Sequence, residues 1–294
     1  MQIIENEYLT VRVNEQGAEL AGIWNKENRT EYLWDANPVY WRRTAPVLFP
    51  FVGSLKEKQF WYEGKAYPME QHGFARDMEF EPICEASDAS TLWYRLRSNE
   101  ETLAKYPFPF ELRIGYHLEG RKLDTMWEVH NIGDKTMYFS IGAHPAFLCP
   151  LGNQGEQTDY SIAFDTDKDI YYSLVNGKGL VEQENLMLPT EKGIVPVTAG
   201  MFDKDALIIE NHQAHSVSLC KGEGKPYVRV AFDAPLFGLW SPAGKNAPFI
   251  CIEPWYGRCD KESFAGSLEE REYGNMLVPG EVFQKSFSIE IFTV

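Results

Sequence analysis

Apolar and polar residues alternate with a period of two through most of this chain. Segments 8–13, 91–97, 111–118, 123–129, 227–232 and 287–293 all carry the pattern and are rich in β-branched and aromatic residues. Such alternation places one set of side chains on each face of an extended strand, so these segments predict half-buried antiparallel strands. Turn-forming residues separate them, as in Asn14-Glu-Gln-Gly17, Glu63-Gly-Lys65, Glu119-Gly-Arg121 and Asn131-Ile-Gly-Asp134. Many strands at short spacing predict a sandwich or barrel. Only residues 101–106 and 260–271 suit short helices, and neither supports a βαβ unit. The glycine-bearing stretch 150–200 reads as looser than the rest. No internal repeat, low-complexity segment or break in composition divides the chain. Residues 1–294 are therefore expected to form a single all-β domain, a large antiparallel β-sandwich with few short helices.

Composition narrows the class further. Hydrophobic residues make up 44% of the 294, enough for a substantial core without disulfides or structural metal. The five cysteines, Cys84, Cys149, Cys220, Cys251 and Cys259, are odd in number and scattered. None forms a C-x-x-C pair, so free thiols in a reducing compartment are expected. Lys and Arg number 28 against 43 Asp and Glu, a formal charge of −15. That surface repels phosphate backbones and anionic lipid, so neither nucleic acid nor a membrane is an expected partner. No basic-then-apolar signal opens the chain, and no apolar run reaches the length of about 18 residues that a membrane helix needs. A cytoplasmic location is the expectation.

The familiar chemical signatures are missing: there is no phosphate-binding glycine loop, no dinucleotide fingerprint, no H-E-x-x-H and no G-x-S-x-G. His212-Gln-Ala-His215 is the only close histidine pair. It falls in an expected turn between strands, lacks a third ligand in sequence, and reads as surface residues. Three other segments break the strand pattern with ionisable groups beside Gly or Pro. They are Gln71-His-Gly-Phe-Ala-Arg76, Ile141-Gly-Ala-His-Pro-Ala-Phe147 and Phe249-Ile-Cys-Ile-Glu-Pro-Trp-Tyr-Gly257. In the last two an apolar strand runs into His144 or Glu253 and is expected to stop at Pro145 or Pro254. The residue before a proline is held extended, which fixes the direction of each group. Glu253 follows four apolar residues, so desolvation would raise its pKa unless a cation offsets it. Arg258 is one candidate for that cation, which would make Glu253 a buried structural partner instead.

Taken together, these segments resemble the aldose 1-epimerase (galactose mutarotase) superfamily over nearly the whole chain. The similarity is strongest to the LacX-like branch and weaker to the hexose-6-phosphate 1-epimerases. It is carried by Leu48-Phe-Pro-Phe-Val-Gly53, Gln71-His-Gly-Phe-Ala-Arg76, Gly142-Ala-His-Pro-Ala-Phe147, Leu239-Trp-Ser241 and Ile252-Glu-Pro-Trp-Tyr-Gly257. The resemblance implies a galactose mutarotase-like supersandwich with a shallow cleft and no metal or organic cofactor. It implies that Glu253 is a general base at the anomeric hydroxyl, that His144 is the acid at the ring oxygen, and that His72 binds hydroxyls. Asp205 sits roughly where the family places a substrate-binding aspartate. The family usually has an arginine after the Phe-Val-Gly glycine; here Ser54 stands there. Lys56, two residues on, would share its face in an extended segment and supply a charge without the guanidinium fork.

The chemistry is self-consistent. Opening a hemiacetal removes a proton from O1 and delivers one to the ring oxygen, and closure on the other carbonyl face reverses both. Trp41, Trp240 and Trp255 are candidates for an apolar face beneath the sugar. Three alternatives stay open. A sugar phosphate could be held by Arg42, Arg43 or Arg76. A non-catalytic sugar-binding role is motivated by Ser54. A glycosidase would pair Glu253 with a second carboxylate such as Asp205. Cys251 and Cys259, near Glu253 in sequence, are expected to be inert.

Overall fold

Two antiparallel sheets of nine and eight strands carry most of the chain, with a four-stranded sheet at the N-terminus and two hairpin-sized sheets beside them. The structure is a computed structural model that describes residues 1–222 and 224–294. The nine-stranded sheet runs, in spatial order, Ile194–Pro196, Tyr160–Phe164, Ser216–Lys221, Lys225–Phe232, Val282–Ile291, Lys122–Asn131, Phe110–Glu119, Thr91–Arg97 and Glu81–Pro82. All the strands expected from alternation lie in it, apart from Leu9–Val13 of the N-terminal sheet. Lys122–Asn131 buries every second residue, as a sheet with one dry face must. The large antiparallel β fold expected from the sequence is thus present.

The eight-stranded sheet behaves differently. Its path is Val181–Leu188, Ile170–Val175, Leu207–Ile209, Leu236–Trp240, Phe249–Tyr256, Ile141–Ala143 and Val47–Leu48, with Ala146–Leu148 also paired to Phe249–Tyr256. Every residue of Phe249–Tyr256 is buried. Ile250, Ile252 and Tyr256 enter the main apolar core between the sheets. Period two then sends Cys251, Glu253 and Trp255 to the opposite face, where loops cover them. A strand with both faces covered reads as a continuous apolar run, which is why Glu253 stands out in it.

Three local expectations are corrected. Pro254 does not stop the strand, which continues to Tyr256. Segment 260–271 is not a helix beyond the turn Leu268–Glu270. There the backbone is already engaged elsewhere: the Val181 and Glu262 N–H groups reach the Asp260 and Val181 carbonyls at 2.9 and 3.1 Å. The Asp260 carboxylate meanwhile takes the Lys56 N–H and the Arg271 guanidinium. Stretch 150–200 contributes four strands, two of which, Val181–Leu188 and Ile194–Pro196, are sheet edges. An edge strand such as Val181–Leu188 is mostly exposed and so carries little apolar signal. The other expected helix is present as Glu100–Lys105, capped by Asn99, whose Oδ1 accepts from the Thr102 N–H at 2.9 Å.

Candidate active site

Glu253 lies mid-strand and is 1% exposed. Neither carboxylate oxygen has a hydrogen-bond partner. On one side its register partner is Gly238. A Cβ there would come within 2.6 Å of the Trp255 ring, so glycine is what lets that indole lie across the sheet beside Glu253. Gly142, facing Trp255 from the other neighbouring strand, has the same reason to be glycine.

On that other side the ladder is interrupted. Ile141–Ala143 pairs with residues 255–256 and Ala146–Leu148 pairs with residues 249–251, so His144 and Pro145 fall in the gap opposite Glu253. Proline has no N–H, and Pro145 and Pro254 face the same gap, so the ladder cannot close across it. The Ile252 N–H reaches only the Pro145 carbonyl, at 3.3 Å. His144 is thereby turned onto the cleft face, with Nε2 3.3 Å from Glu253 Oε2. Its ring is packed among Trp41, Trp240 and His72, at centroid distances of 4.7, 5.2 and 5.7 Å.

His72 comes from a tight turn rather than a strand. Its φ is 68°, and Gly73 follows at 70°. A Cβ on Gly73 would sit 2.3 Å from the Phe49 carbonyl oxygen, so only glycine allows this approach. His72 and Gly53 bond to each other twice: the His72 N–H donates to the Gly53 carbonyl at 2.9 Å, and the Gly53 N–H donates to His72 Nδ1 at 3.0 Å. An Nδ1 that accepts leaves the ring proton of neutral His72 on Nε2.

A cavity of about 260 Å³ joins these groups, and Arg76, Asp205 and Trp240 line it with them. Arg76 donates from Nη2 to the Gln71 carbonyl at 2.7 Å, while its buried Nε makes no hydrogen bond and lies 3.8 Å from Asp77 Oδ2. Asp205 is an exposed rim residue at φ 72°. Lys56 is not part of the cleft. Its Nζ donates to the Phe264 carbonyl at 2.7 Å in a separate hollow. A 3₁₀ turn begins at Lys56, so the extended spacing that would have given it Ser54's face does not exist. Ser54 instead packs against the Asn176–Leu180 turn, where a Cβ on Gly179 would meet its Oγ at 2.7 Å. Arg42 is exposed and outside the cleft lining, and Arg43 is held to Asp77 at 2.5 Å. Arg258 pairs with Glu210 at 2.6 Å and with Glu272, which excludes it as the partner of Glu253. The alternation pattern gave no hint of Gly179, Val175 or Ile208 in the lining. The glycine-rich Asn176-Gly-Lys-Gly179 turn was the available signal. A larger cavity, about 440 Å³, lies beyond the 202–205 turn, and its lining includes no histidine or buried acid.

Burial sets the protonation of the site. It raises the Glu253 pKa well above the usual carboxylate value; the Asp205 charge adds to this and the nearby Trp255 indole opposes it slightly. It pushes His144 down to about 3, with Arg76 and Arg43 contributing repulsion. His72 falls well below its ordinary value, chiefly by burial and then by its positive neighbours. His144, Cys251 and Glu253 bring potential metal ligands within 4.8 Å of one another. Burial also raises the Cys251 thiol well above its ordinary value, which disfavours the thiolate form that a metal would need.

The fold is thus a large antiparallel supersandwich with a buried, uncompensated carboxyl–imidazole pair in a cleft on its eight-stranded sheet. The family model for aldose 1-epimerase matches residues 1–265, and this chain belongs to that family. A similar protein is the plasmid-encoded protein LacX of Lactococcus lactis subsp. lactis, 33% identical across 98% of both chains. Among solved structures, a galactose mutarotase related enzyme from Lactobacillus acidophilus superposes with a TM-score of 0.93 at 34% identity, covering 99% of this chain and 97% of that one. A galactose mutarotase-like protein from Lactobacillus casei gives 0.91 at 30% identity, over 99% and 100%.

Proposed function

We propose that this protein is a cofactor-independent mutarotase that interconverts the α and β anomers of a free aldohexose. One observation carries the reading: Glu253 and His144 lie 3.3 Å apart, both buried, and among the described residues no Lys or Arg is placed to make the carboxylate a structural partner. Ion pairs kept for structure look different in this molecule, as Arg258 and Arg271 illustrate by meeting acids through their guanidinium groups.

The protonation of the cleft supports a sequence of steps. Empty, the pair holds one proton, on Glu253, beside a neutral imidazole. Transfer of that proton to His144 creates the carboxylate and imidazolium that ring opening requires. Glu253 then accepts the O1 proton while His144 donates to the ring oxygen, giving the open aldehyde. This step returns the pair to acid and neutral imidazole, so the proton count of the cleft never changes. Rotation about the C1–C2 bond and reversal of both transfers gives the other anomer. His72 Nε2–H is a fixed donor for a sugar oxygen, Asp205 is an acceptor at the rim, and Trp240 offers an apolar edge. Each positioned proton-transfer group is worth on the order of 10²–10⁴-fold in rate.

Polarimetry of freshly dissolved α-D-glucose and α-D-galactose tests the proposal. Acceleration by the wild type that is lost in both Glu253→Gln and His144→Asn supports it. Folded wild type that leaves mutarotation at the buffer rate sinks it and leaves sugar binding without catalysis, the role Ser54 suggests. A second reading keeps the chemistry on a hexose 6-phosphate, favoured by Arg76 in the cleft lining, whose buried Nε makes no hydrogen bond. Equal inhibition constants for a hexose and its 6-phosphate would eliminate it.

A further inference from the structure

His212 and His215 have an unassigned third neighbour. Among the described residues, their ring nitrogens and a carboxylate oxygen of Asp233 all lie within 4.8 Å of one another. The residues come from two adjacent crossovers. Residues 210–215 join Leu207–Ile209 of the eight-stranded sheet to Ser216–Lys221 of the nine-stranded one, and residues 233–235 join Lys225–Phe232 back to Leu236–Trp240.

The backbone beneath is held on every side. The His212 N–H donates to the Pro235 carbonyl at 3.0 Å, and the Phe232 N–H donates to the His215 carbonyl at 2.8 Å. The His215 N–H donates to Asp165 Oδ1 at 2.9 Å. Ala214, between the two histidines, is buried in the main core. Two exposed imidazoles are thus projected from an anchored turn toward one carboxylate. Lys285 bonds Asp233 through Oδ2, at 3.1 Å.

We propose that His212, His215 and Asp233 form a surface site for a first-row divalent transition metal, with Zn²⁺ the expected ion. Two imidazole nitrogens and one carboxylate oxygen suit zinc, nickel or copper rather than magnesium or calcium. Bonds of about 2.0–2.2 Å require ligand atoms roughly 3.3 Å apart, which small rotations of exposed side chains provide. Water completes the shell. The site lies at the ends of Leu207–Ile209 and Leu236–Trp240 remote from Asp205 and Trp240, so bound metal clamps two inter-sheet crossovers and stabilises the fold without entering the cleft.

The test uses the full chain, stripped with chelator and titrated with ZnCl₂ by calorimetry and by thermal melting, alongside the His212→Ala/His215→Ala double variant. Both histidines are exposed, so the metal-free variant is expected to melt with the wild type. The expected result is one equivalent of zinc fewer in the double variant, with the zinc-dependent rise in Tm abolished. Asp233→Asn is expected to weaken the same equivalent. Zinc held in the cleft by His144, Cys251 and Glu253 would persist in the double variant and is counted separately. Wild-type stoichiometry and affinity in the double variant, or no uptake by the wild type in excess zinc, overturns the proposal.

Discussion

Replacing Glu253 with Gln separates chemistry from structure. The two side chains are nearly isosteric, and the carboxylate has no hydrogen-bond partner to lose. Removing a proton-transfer group should slow mutarotation by about 10²–10⁴-fold, or about 3–5 kcal/mol of barrier at 1.36 kcal/mol per decade. At about pH 4, where the unfolded carboxyl also holds its proton, folding should change by less than about 1 kcal/mol, a Tm shift under roughly 4 °C for a chain of this size. The pH dependence adds a signature. Burial raises the folded pKa of Glu253 above its ordinary value of 4.5. The native state therefore holds this proton more tightly than the unfolded chain. Wild-type stability is highest below the unfolded pKa and declines as pH rises toward the folded value. Gln has no such loss, so Glu253→Gln should gain on the wild type as pH increases from about 4.5 upward. Polarimetry and melts across pH 4–8 measure both effects. A variant that keeps its rate within about threefold removes Glu253 from the chemistry, since even the weakest general base is worth more. A Tm difference that does not open with pH refutes the uncompensated burial of the carboxyl.

Other perturbations probe the rest of the site. His144→Asn should also lose about 10²-fold or more in rate. With its folded pKa near 3 against 6.5 for the free side chain, His144 draws stability away as pH falls through that window, so this variant should resist acid better than wild type in melts at pH 4–6. Gly73→Ala should cost about 1–3 kcal/mol in denaturant titrations and lower activity too, because the turn that aims His72 sits at φ 70° against the Phe49 carbonyl. Arg258→Ala leaves Glu210 without its buried cation and should destabilise by about 3 kcal/mol, read from the urea midpoint. Lys56→Ala should leave KM for the sugar unchanged, since that ammonium is bonded to the Phe264 carbonyl outside the cleft; a several-fold rise would show that it reaches the substrate.

How much of this was legible in one dimension depends on how local the cause is. Alternation in Thr91–Arg97 and Lys122–Asn131 announces strands because each face meets one environment, core or water. Glu253 announced itself as the single carboxylate in a run buried on both faces. His72 and His144 were marked by glycine and proline beside them. The exposed edge Val181–Leu188 stayed invisible, because little of it is buried and no periodic apolar face remains to be read.

The all-β class, the segments that carry Glu253, His144 and His72, and the acidic surface can be read from the chain alone, since each follows from residues acting on their own backbone or solvent. Tertiary structure alone decided what those groups meet. It placed Pro145 and Pro254 on the two sides of one gap in the ladder, where His144 is turned onto Glu253. It gave Arg258 to Glu210 and Glu272, sent Lys56 to Phe264, and brought Asp233 to His212 and His215. Partners distant in the chain are chosen by strand register and crossover geometry, and a side chain's spacing along its own strand carries no record of which strand lies beside it.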